Sequence, residues 1–304
     1  MSAGSWRREW PGLLPALVVV AVALAVPPTG EFPSNDDWDY HGAVGELLAY
    51  REIRFTDWPS ASLIAQLVWG AGFSLAFGFS YFALRLSTLT AAAIAGTAVY
   101  ALLRRAGLAR APATIAGMSL VGAPIFLFYS YTFMTDVPGL AATLAMLVWF
   151  LRVIDRPTRI NWVIFGLLGS LAFLVRQTAS IPYLFALLFS LRPFRPFLIS
   201  FVPFVGVVAG YYIWLFQVNH VPYYATVGRF EPEMLRNASF LAGRILTAAL
   251  ETGWFAAPAC FLWASGFGWR KLASDRTMRR AGIAAIVLLA ALAAIAGPKA
   301  RTYA

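Results

Sequence analysis

Long apolar stretches alternate with short polar segments along almost the whole chain. Because a helix that crosses a bilayer needs about 20 mostly apolar residues, this pattern predicts a series of transmembrane helices. The predicted spans are 11–28, 80–103, 112–131, 137–154, 160–176, 179–191, 196–217, 238–265 and 281–297. The stretch 160–191 is divided in two because Arg176 lies near its middle and Pro182 follows. The sequence therefore predicts an all-α polytopic membrane protein with about nine transmembrane helices.

One further apolar run, Ala61–Phe79, is long enough to span the membrane, but we predict that it lies at the surface. Counting it as a span would move every later loop to the opposite side. Without it, the basic clusters around Arg104, Arg152 and Arg270 share one side with Arg7, as is typical of cytoplasmic loops. The N-terminus is therefore predicted to be cytoplasmic.

The predicted organisation is a single transmembrane domain that covers 1–304. It consists of a first span at 11–28, an outer loop at 29–79 with juxtamembrane helices, and eight further spans within 80–297. No soluble C-terminal domain is expected. The first span is predicted to be a retained anchor, although a cleaved signal peptide fits the same pattern.

Composition supports this interpretation and excludes several classes of protein. Apolar residues make up 60% of the chain and charged residues 12%, whereas a soluble domain has about 25% charged residues. The net charge of +10 would suit a nucleic-acid partner, but the basic residues form short clusters between apolar runs. No nucleic-acid partner is expected. The only cysteine, Cys260, excludes an internal disulfide.

Acidic residues follow the opposite distribution. Ten of the 14 fall in the predicted outer loops: Glu31, Asp36, Asp37, Asp39, Glu46, Glu52, Asp57, Asp136, Glu231 and Glu233. This distribution indicates a site on the outer face of the cytoplasmic (inner) membrane.

The first outer loop carries the densest group of candidate side chains, Asp36, Asp37, Asp39, Tyr40 and His41. Apolar residues follow at helical spacing, so Asp36 or Asp37 also suits the N-terminus of a helix. A divalent cation bound by Asp37, Asp39 and His41 is a further alternative. The sequence leaves these interpretations open.

Two more candidates lie at predicted outer ends of spans. Asp136 is held near the membrane by a very short loop, where it also suits a helix start. Arg176 interrupts an apolar hairpin, and charges near a membrane are functional candidates by default. Arg176 also fits a side chain that extends to the lipid headgroups.

In their order along the chain, these residues resemble a known family. The segments are Asp36–Tyr40, Asp57–Pro59, Arg85–Ser87, Met134–Pro138 and Leu174–Thr178. They resemble the GT-C integral-membrane glycosyltransferases, and within them the bacterial relatives of dolichyl-phosphate-mannose protein mannosyltransferases and of the lipid A aminoarabinose transferase. The resemblance implies a GT-C-like bundle that transfers a sugar from a polyprenyl-phosphate carrier to a lipid, glycan or protein acceptor.

The resemblance also implies roles for individual residues. Asp36 aligns with the aspartate that acts as base on the acceptor, Asp37 takes the position of a second acid, and Asp136 orients the acceptor or shares the base role. A leaving phosphate needs a fixed cation, for which Arg176 is the candidate. A base and a leaving group on opposite faces of the sugar predict inversion.

Three residues of a later outer loop are further candidates. His220, Tyr223 and Tyr224 are predicted to contact the sugar or the lipid, while the two tyrosines also fit an interfacial aromatic belt.

Two alternatives to an enzyme remain at this stage. A transporter or flippase for a lipid-linked sugar would need charges near the middle of the bilayer, and Arg244 with Glu251 is the pair of this kind. A non-catalytic assembly partner fits the short C-terminal part, because relatives of this type usually have more spans.

Overall fold

Helices form most of the part of the chain that the computed structural model describes, residues 9–34, 36–55, 61–189 and 194–220. They are α1 (Leu14–Ala25), α2 (Asp37–Tyr50), α3 (Ile64–Phe77), α4 (Tyr81–Arg105), α5 (Arg110–Val121), α6 (Pro124–Ser130), α7 (Asp136–Asp155), α8 (Arg159–Val175), α9 (Ile181–Phe189) and α10 (Phe194–Gln217). Turns of 3₁₀ helix at Trp10–Leu13 and Gln177–Ser180 precede α1 and α9. These described ranges contain no β-strand, and the predicted all-α polytopic membrane class is confirmed. All of them belong to one compact unit, Met1–Thr226.

Several helices have the length and composition of membrane spans. Tyr81–Arg105, Asp136–Asp155 and Phe197–Gln217 each qualify alone, and α5 with α6 qualifies as a bent pair. The apolar helices Trp10–Ala25, Ile64–Phe77 and Arg159–Val175 are shorter. The helix predicted over 179–191 is described over Ile181–Phe189, and residues 190–193 lie outside the described ranges. The spans predicted at 238–265 and 281–297 lie outside the described residues, so the number nine stays a prediction.

The span predicted over 112–131 is broken into α5 and α6, which meet at an angle of 61°. The break falls at Gly122–Ala123, directly before Pro124. Proline cannot donate a backbone hydrogen bond and disfavours helical torsions in the preceding residue. Ala123 is accordingly extended, with φ −67° and ψ 129°.

Contacts between charged side chains define one end of the bundle, here called the basic end. Glu9 accepts hydrogen bonds from Arg104 at 3.1 and 3.0 Å, and its carboxylate lies 3.5 Å from Arg110. Hydrogen bonds from Arg104 and Tyr100 lower the pKa of Glu9 to about 2. The start of α1 and the end of α4 therefore lie together, at the end where the sequence grouped its basic clusters.

The opposite end, here called the acidic end, gathers the first loop and the starts of α4 and α7. Tyr131 at the end of α6 donates a hydrogen bond of 2.8 Å to the Val26 carbonyl just after α1. The Glu31 carboxylate accepts the Tyr81 amide at 2.9 Å and so caps the N-terminus of α4. These contacts fold the first loop back onto the helices that follow it.

Both ends of α3 also lie at the acidic end. Before the helix, the Leu63 amide donates to the Val175 carbonyl at 3.3 Å, and the Ser62 amide donates to Gln177 at 3.1 Å. After the helix, the Phe79 ring stacks on His41 with the ring centroids 4.4 Å apart. Helix α3 therefore starts and finishes at one end of the bundle. Its location at a membrane surface remains a prediction.

An aromatic core holds α8, α9 and α10 together. Phe173 of α8 packs edge-on against Tyr211 of α10, and Tyr183 of α9 donates a 2.9 Å hydrogen bond to the Ser200 carbonyl. Gly166 allows the close approach of α10, because a Cβ at this position would lie 2.7 Å from the Ser200 carbonyl oxygen. This core fixes the end of α8, where Arg176 begins the candidate site.

Candidate active site

An ion pair at the acidic end joins two of the predicted site residues. Arg176 Nη1 lies 2.6 Å from Asp136 Oδ1 and 3.3 Å from Thr135 Oγ1. Asp136 is the first residue of α7, where the helix dipole favours a carboxylate. Arg176 directly follows α8 and has an extended backbone conformation, so the chain leaves the helix at this residue.

The pair lies in a shallow cavity of about 280 Å³ that also contains Gly139, Thr143 and Thr178. The side chains of Asp136 and Arg176 are 38% and 39% exposed, which leaves both open to a ligand. Of the three guanidinium nitrogens of Arg176, only Nη1 forms a hydrogen bond to another described residue. The rest of this planar guanidinium can bind a phosphate or carboxylate in a bidentate manner.

Tyr40 links the first loop to this pair. Its side chain is buried, and its phenol lies within electrostatic range of four charged groups, those of Arg176, Asp36, Asp136 and Asp39. Burial raises the pKa of Tyr40 to about 12, so the phenol stays protonated and can donate a hydrogen bond. Asp36 is half-buried directly before α2 and caps no backbone group with its side chain. The ion pair therefore lies within electrostatic range of this buried phenol, and so does Asp36.

Asp37 has a different environment. Its side chain is fully buried, with Oδ1 accepting the Ser34 amide at 2.6 Å and Oδ2 accepting the Phe133 amide at 3.3 Å. Burial raises the pKa of this carboxyl, while the two amides and Arg85 act in the opposite direction. Asp37 thus joins the first loop to the turn before α7, and both of its oxygens already have partners.

Asp39 lies in a separate cavity of about 270 Å³. The cavity also contains Trp38, Glu46 and Arg54, and the residues of the ion pair do not line it. Asp39 is itself buried. Asp39 therefore lies outside the cavity of the ion pair, although it is also within electrostatic range of Tyr40.

His41 is held between two aromatic rings. Its ring centroid lies 4.4 Å from that of Phe79 and 4.1 Å from that of Tyr81. Burial lowers the pKa of His41 and favours its neutral form. Asp37, Asp39 and His41 thus have different neighbours. In the described part of the chain, no three His, Cys, Asp or Glu side chains are grouped to hold a metal ion.

The remaining candidates lie in or beyond the segment after α10. His220 is exposed with a positive φ of 52°, next to Asn219, whose Oδ1 accepts the Phe55 amide at 3.1 Å. His220 therefore lies near the segment that follows α2. Tyr223 and Tyr224 lie outside the described residues.

Arg85 has a structural role that its motif alone did not predict. It is buried in α4, donates to the Gly30 carbonyl at 2.7 Å and the Phe32 carbonyl at 2.5 Å, and lies over the Phe32 ring. Together with the Glu31 cap it fixes the start of the first loop. The available signal was a charged residue inside an apolar run, which needs partners when it is buried.

An apolar groove of about 730 Å³ runs beside the ion pair, between α3, α4, α7 and α8. Its walls include Trp69 and Phe73 of α3, Ile94 of α4, Pro138 of α7 and Val175 of α8. Pro138 lies two residues after Asp136, and Val175 directly precedes Arg176. The groove therefore reaches the chain neighbours of the ion pair.

A bundle of apolar helices with an acidic and a basic side chain paired at one end defines this chain as a polytopic membrane protein with a polar site. Residues 61–216 of the 304 match the family described as dolichyl-phosphate-mannose-protein mannosyltransferase, and the chain belongs to this family of GT-C-type membrane glycosyltransferases. The match contains Asp136 and Arg176, while Asp36 and Asp37 precede it. Neither the curated proteins nor the solved structures give a significant match.

Proposed function

We propose that this protein transfers a sugar from a polyprenyl-phosphate carrier to a lipid, glycan or protein acceptor at the outer face of the cytoplasmic membrane. The observation that carries the proposal is the partly exposed ion pair of Asp136 and Arg176 at the acidic end, with Asp36 and the ion pair all within electrostatic range of Tyr40. Family membership supports the reaction class, a membrane glycosyltransferase. The basic clusters at the other end support the orientation.

Asp36 is assigned as the general base. Among the described residues its carboxylate accepts no hydrogen bond, and it is only half-buried, so an acceptor hydroxyl can reach it. Asp37 is assigned a positioning role, because both of its oxygens accept backbone amides. A general base must lie within hydrogen-bond reach of the proton that it removes, and this requirement favours the carboxylate without a partner.

Arg176 is assigned to the leaving phosphate. Asp36 takes the proton of an acceptor hydroxyl while the hydroxyl oxygen attacks the anomeric carbon. The bond between this carbon and the phosphate oxygen breaks, and the phosphate leaves with the electron pair. A guanidinium fixed beside this oxygen stabilises the charge that develops on it. Attack opposite the leaving group inverts the anomeric carbon, by analogy with inverting glycosidases.

Asp136 is proposed to hold Arg176 until the donor arrives and then to orient the acceptor. The ion pair is partly exposed, so its net contribution to stability is small and a phosphate can replace the carboxylate as the partner of Arg176. Thr135 supports the same orientation of the guanidinium from the side.

The groove is proposed to hold the isoprenoid chain of the carrier. Its walls are almost entirely apolar, which suits a hydrocarbon. One end of the groove is lined by Val175, which directly precedes Arg176. A chain in the groove would bring its phosphate toward the guanidinium.

The test is transfer of a labelled sugar from polyprenyl-phosphate-mannose to envelope acceptors in membranes that contain the full chain. Asp36→Asn should lower the transfer rate about 100-fold or more, because positioned bases contribute about 10²–10⁴-fold. The control is Asp155→Asn at the basic end, which should leave the rate unchanged. Full transfer by Asp36→Asn would refute the assigned base. Movement of the lipid-linked sugar across vesicles without bond formation would support a transporter or flippase instead.

A further inference from the structure

One side chain at the edge of the apolar groove has a chemistry that the groove does not explain. Gln66 lies in the first turn of α3 and is only 1% exposed. It lines the groove, and neither its Nε2 nor its Oε1 atom has a hydrogen-bond partner among the described residues. A buried carboxamide without partners destabilises a folded protein, so its presence here needs a reason.

Gln66 lies close in the chain to residues that contact the neighbours of Arg176. The residues just before α3, Ser62 and Leu63, are hydrogen-bonded to Gln177 and Val175, the two neighbours of Arg176 in the chain. Gln66 is the third residue of α3 and lies only about 3 Å along the axis from the first, Ile64. Gln66 is therefore a polar side chain at the end of the groove nearest Arg176.

The ligand that fits this position has a long apolar part and a polar end. The walls of the groove suit a hydrocarbon chain, and a carboxamide N–H donates well to an anionic oxygen. The Oε1 atom needs a donor, which a hydroxyl of an attached sugar supplies. A lipid that carries a glycosyl phosphate has all three features.

We infer that Gln66 binds the phosphate-bearing end of the lipid carrier through its Nε2–H group, while the carrier's chain fills the groove. The inference rests on the proposed function and adds a positioning residue to it. Gln66 would mark the point at which the isoprenoid chain ends and the phosphate begins, so that the phosphate stays beside Arg176.

The experiment measures binding of undecaprenyl phosphate and of undecaprenol to the purified full-length protein in nanodiscs. Gln66→Leu keeps the size of the side chain and removes its polar atoms. It should weaken binding of the phosphate lipid about 10-fold or more, since a hydrogen bond to a charged group is stronger than one to a neutral hydroxyl. Binding of the alcohol should fall less than about threefold.

Two further variants separate this effect from a change in folding. Ser74 lies on the same helix, is 4% exposed and has no hydrogen-bond partner in the described part of the chain, but it does not line the groove. Ser74→Ala should leave both affinities unchanged. Gln66→Met is a second apolar variant of similar length and should weaken binding of the phosphate lipid as Gln66→Leu does, with no loss of thermal stability, because it removes a buried carboxamide without partners.

The outcomes also separate the inference from the proposed function. If the unmodified protein prefers the phosphate lipid and Gln66→Leu retains this preference, the inference is wrong and the proposed function stands. An equal loss of both lipids in Gln66→Leu would likewise overturn the inference. If the unmodified protein shows no preference for the phosphate lipid over the alcohol, both the inference and the proposed carrier are wrong.

Discussion

At the scale of single residues, Asp37 is the most deeply buried of the described acidic residues in the first loop. Its carboxyl is fully buried, so removal from water raises its pKa above the usual value of 3.8. The amides of Ser34 and Phe133 offset this effect only in part. The folded protein therefore binds the Asp37 proton more tightly than the unfolded chain does.

This difference predicts a pH dependence of stability. The contribution of Asp37 is fully present below about pH 4 and is lost as the pH rises through the raised pKa of the folded state. The stability of the unmodified protein, measured by thermal unfolding in detergent, should fall between about pH 4 and pH 7. The stability of Asp37→Asn should change less over the same range.

Asp155→Asn is the control for this measurement, since Asp155 is exposed at the basic end. It should keep the pH profile of the unmodified protein. The same slope in Asp37→Asn as in the unmodified protein would show that another group titrates in this range.

The sequence could predict that Asp136 and Arg176 lie at the same end of the bundle, but not that they form an ion pair. Asp136 and Arg176 were assigned to one face because apolar periodicity and charge sidedness need no tertiary information. Their ion pair and the two amides bound by Asp37 depend on the turn before α7 and on the break after α8. Those are tertiary features, which the local pattern of apolar and charged residues does not encode.

At the scale of helices, the contact between α8 and α10 depends on the absence of a side chain at Gly166. A Cβ there would lie 2.7 Å from the Ser200 carbonyl oxygen, which belongs to the backbone and cannot rotate away. Closely packed interiors tolerate extra atoms poorly.

Gly166→Ala should therefore destabilise the protein by about 1–3 kcal/mol, measured by thermal or denaturant unfolding in detergent. The matched control is Gly206→Ala in α10, where an added Cβ meets no atom within 4 Å. Because alanine is the better helix former, the control should be neutral or more stable by about 0.5–1 kcal/mol. Equal stability of Gly166→Ala and the unmodified protein would mean that α8 and α10 can separate without cost.

The helices themselves were largely predictable, and their lengths and bends were not. Apolar runs gave the approximate bounds of α4, α7 and α10 because burial in lipid or in a core selects the same residues over about 20 positions. The bend before Pro124 and the short helix Ile181–Phe189 depend on local backbone chemistry and on packing. Mean hydropathy over a window of about 20 residues does not detect either feature, because it averages over the residues that cause them.

At the scale of the whole molecule, charge divides the described part of the chain into a basic and an acidic end. Glu9 and Asp155 pair with arginines at one end, and Asp136 pairs with Arg176 at the other. From this division the positive-inside rule predicts an orientation in the membrane, with the acidic end outside.

Single cysteines test this orientation. In a Cys260→Ser background, Glu52→Cys at the acidic end should react with a membrane-impermeant maleimide in intact spheroplasts, and Asp155→Cys should react only after permeabilisation. The two positions are matched, with side chains 58% and 57% exposed and each in a surface ion pair of small energetic value. The reverse labelling would invert the proposed orientation and move the site to the cytoplasm.

The groove beside the ion pair has a consequence for how a substrate would arrive. Its walls include Val68, Ile94 and Leu171, each at least 44% exposed, so the groove opens on the side of the bundle as well as toward the acidic end. A carrier lipid could then enter by diffusing sideways within the leaflet, without passing through water. The encounter would be a search in two dimensions, and the rate would follow the mole fraction of the carrier among the lipids rather than its concentration in the bulk solution.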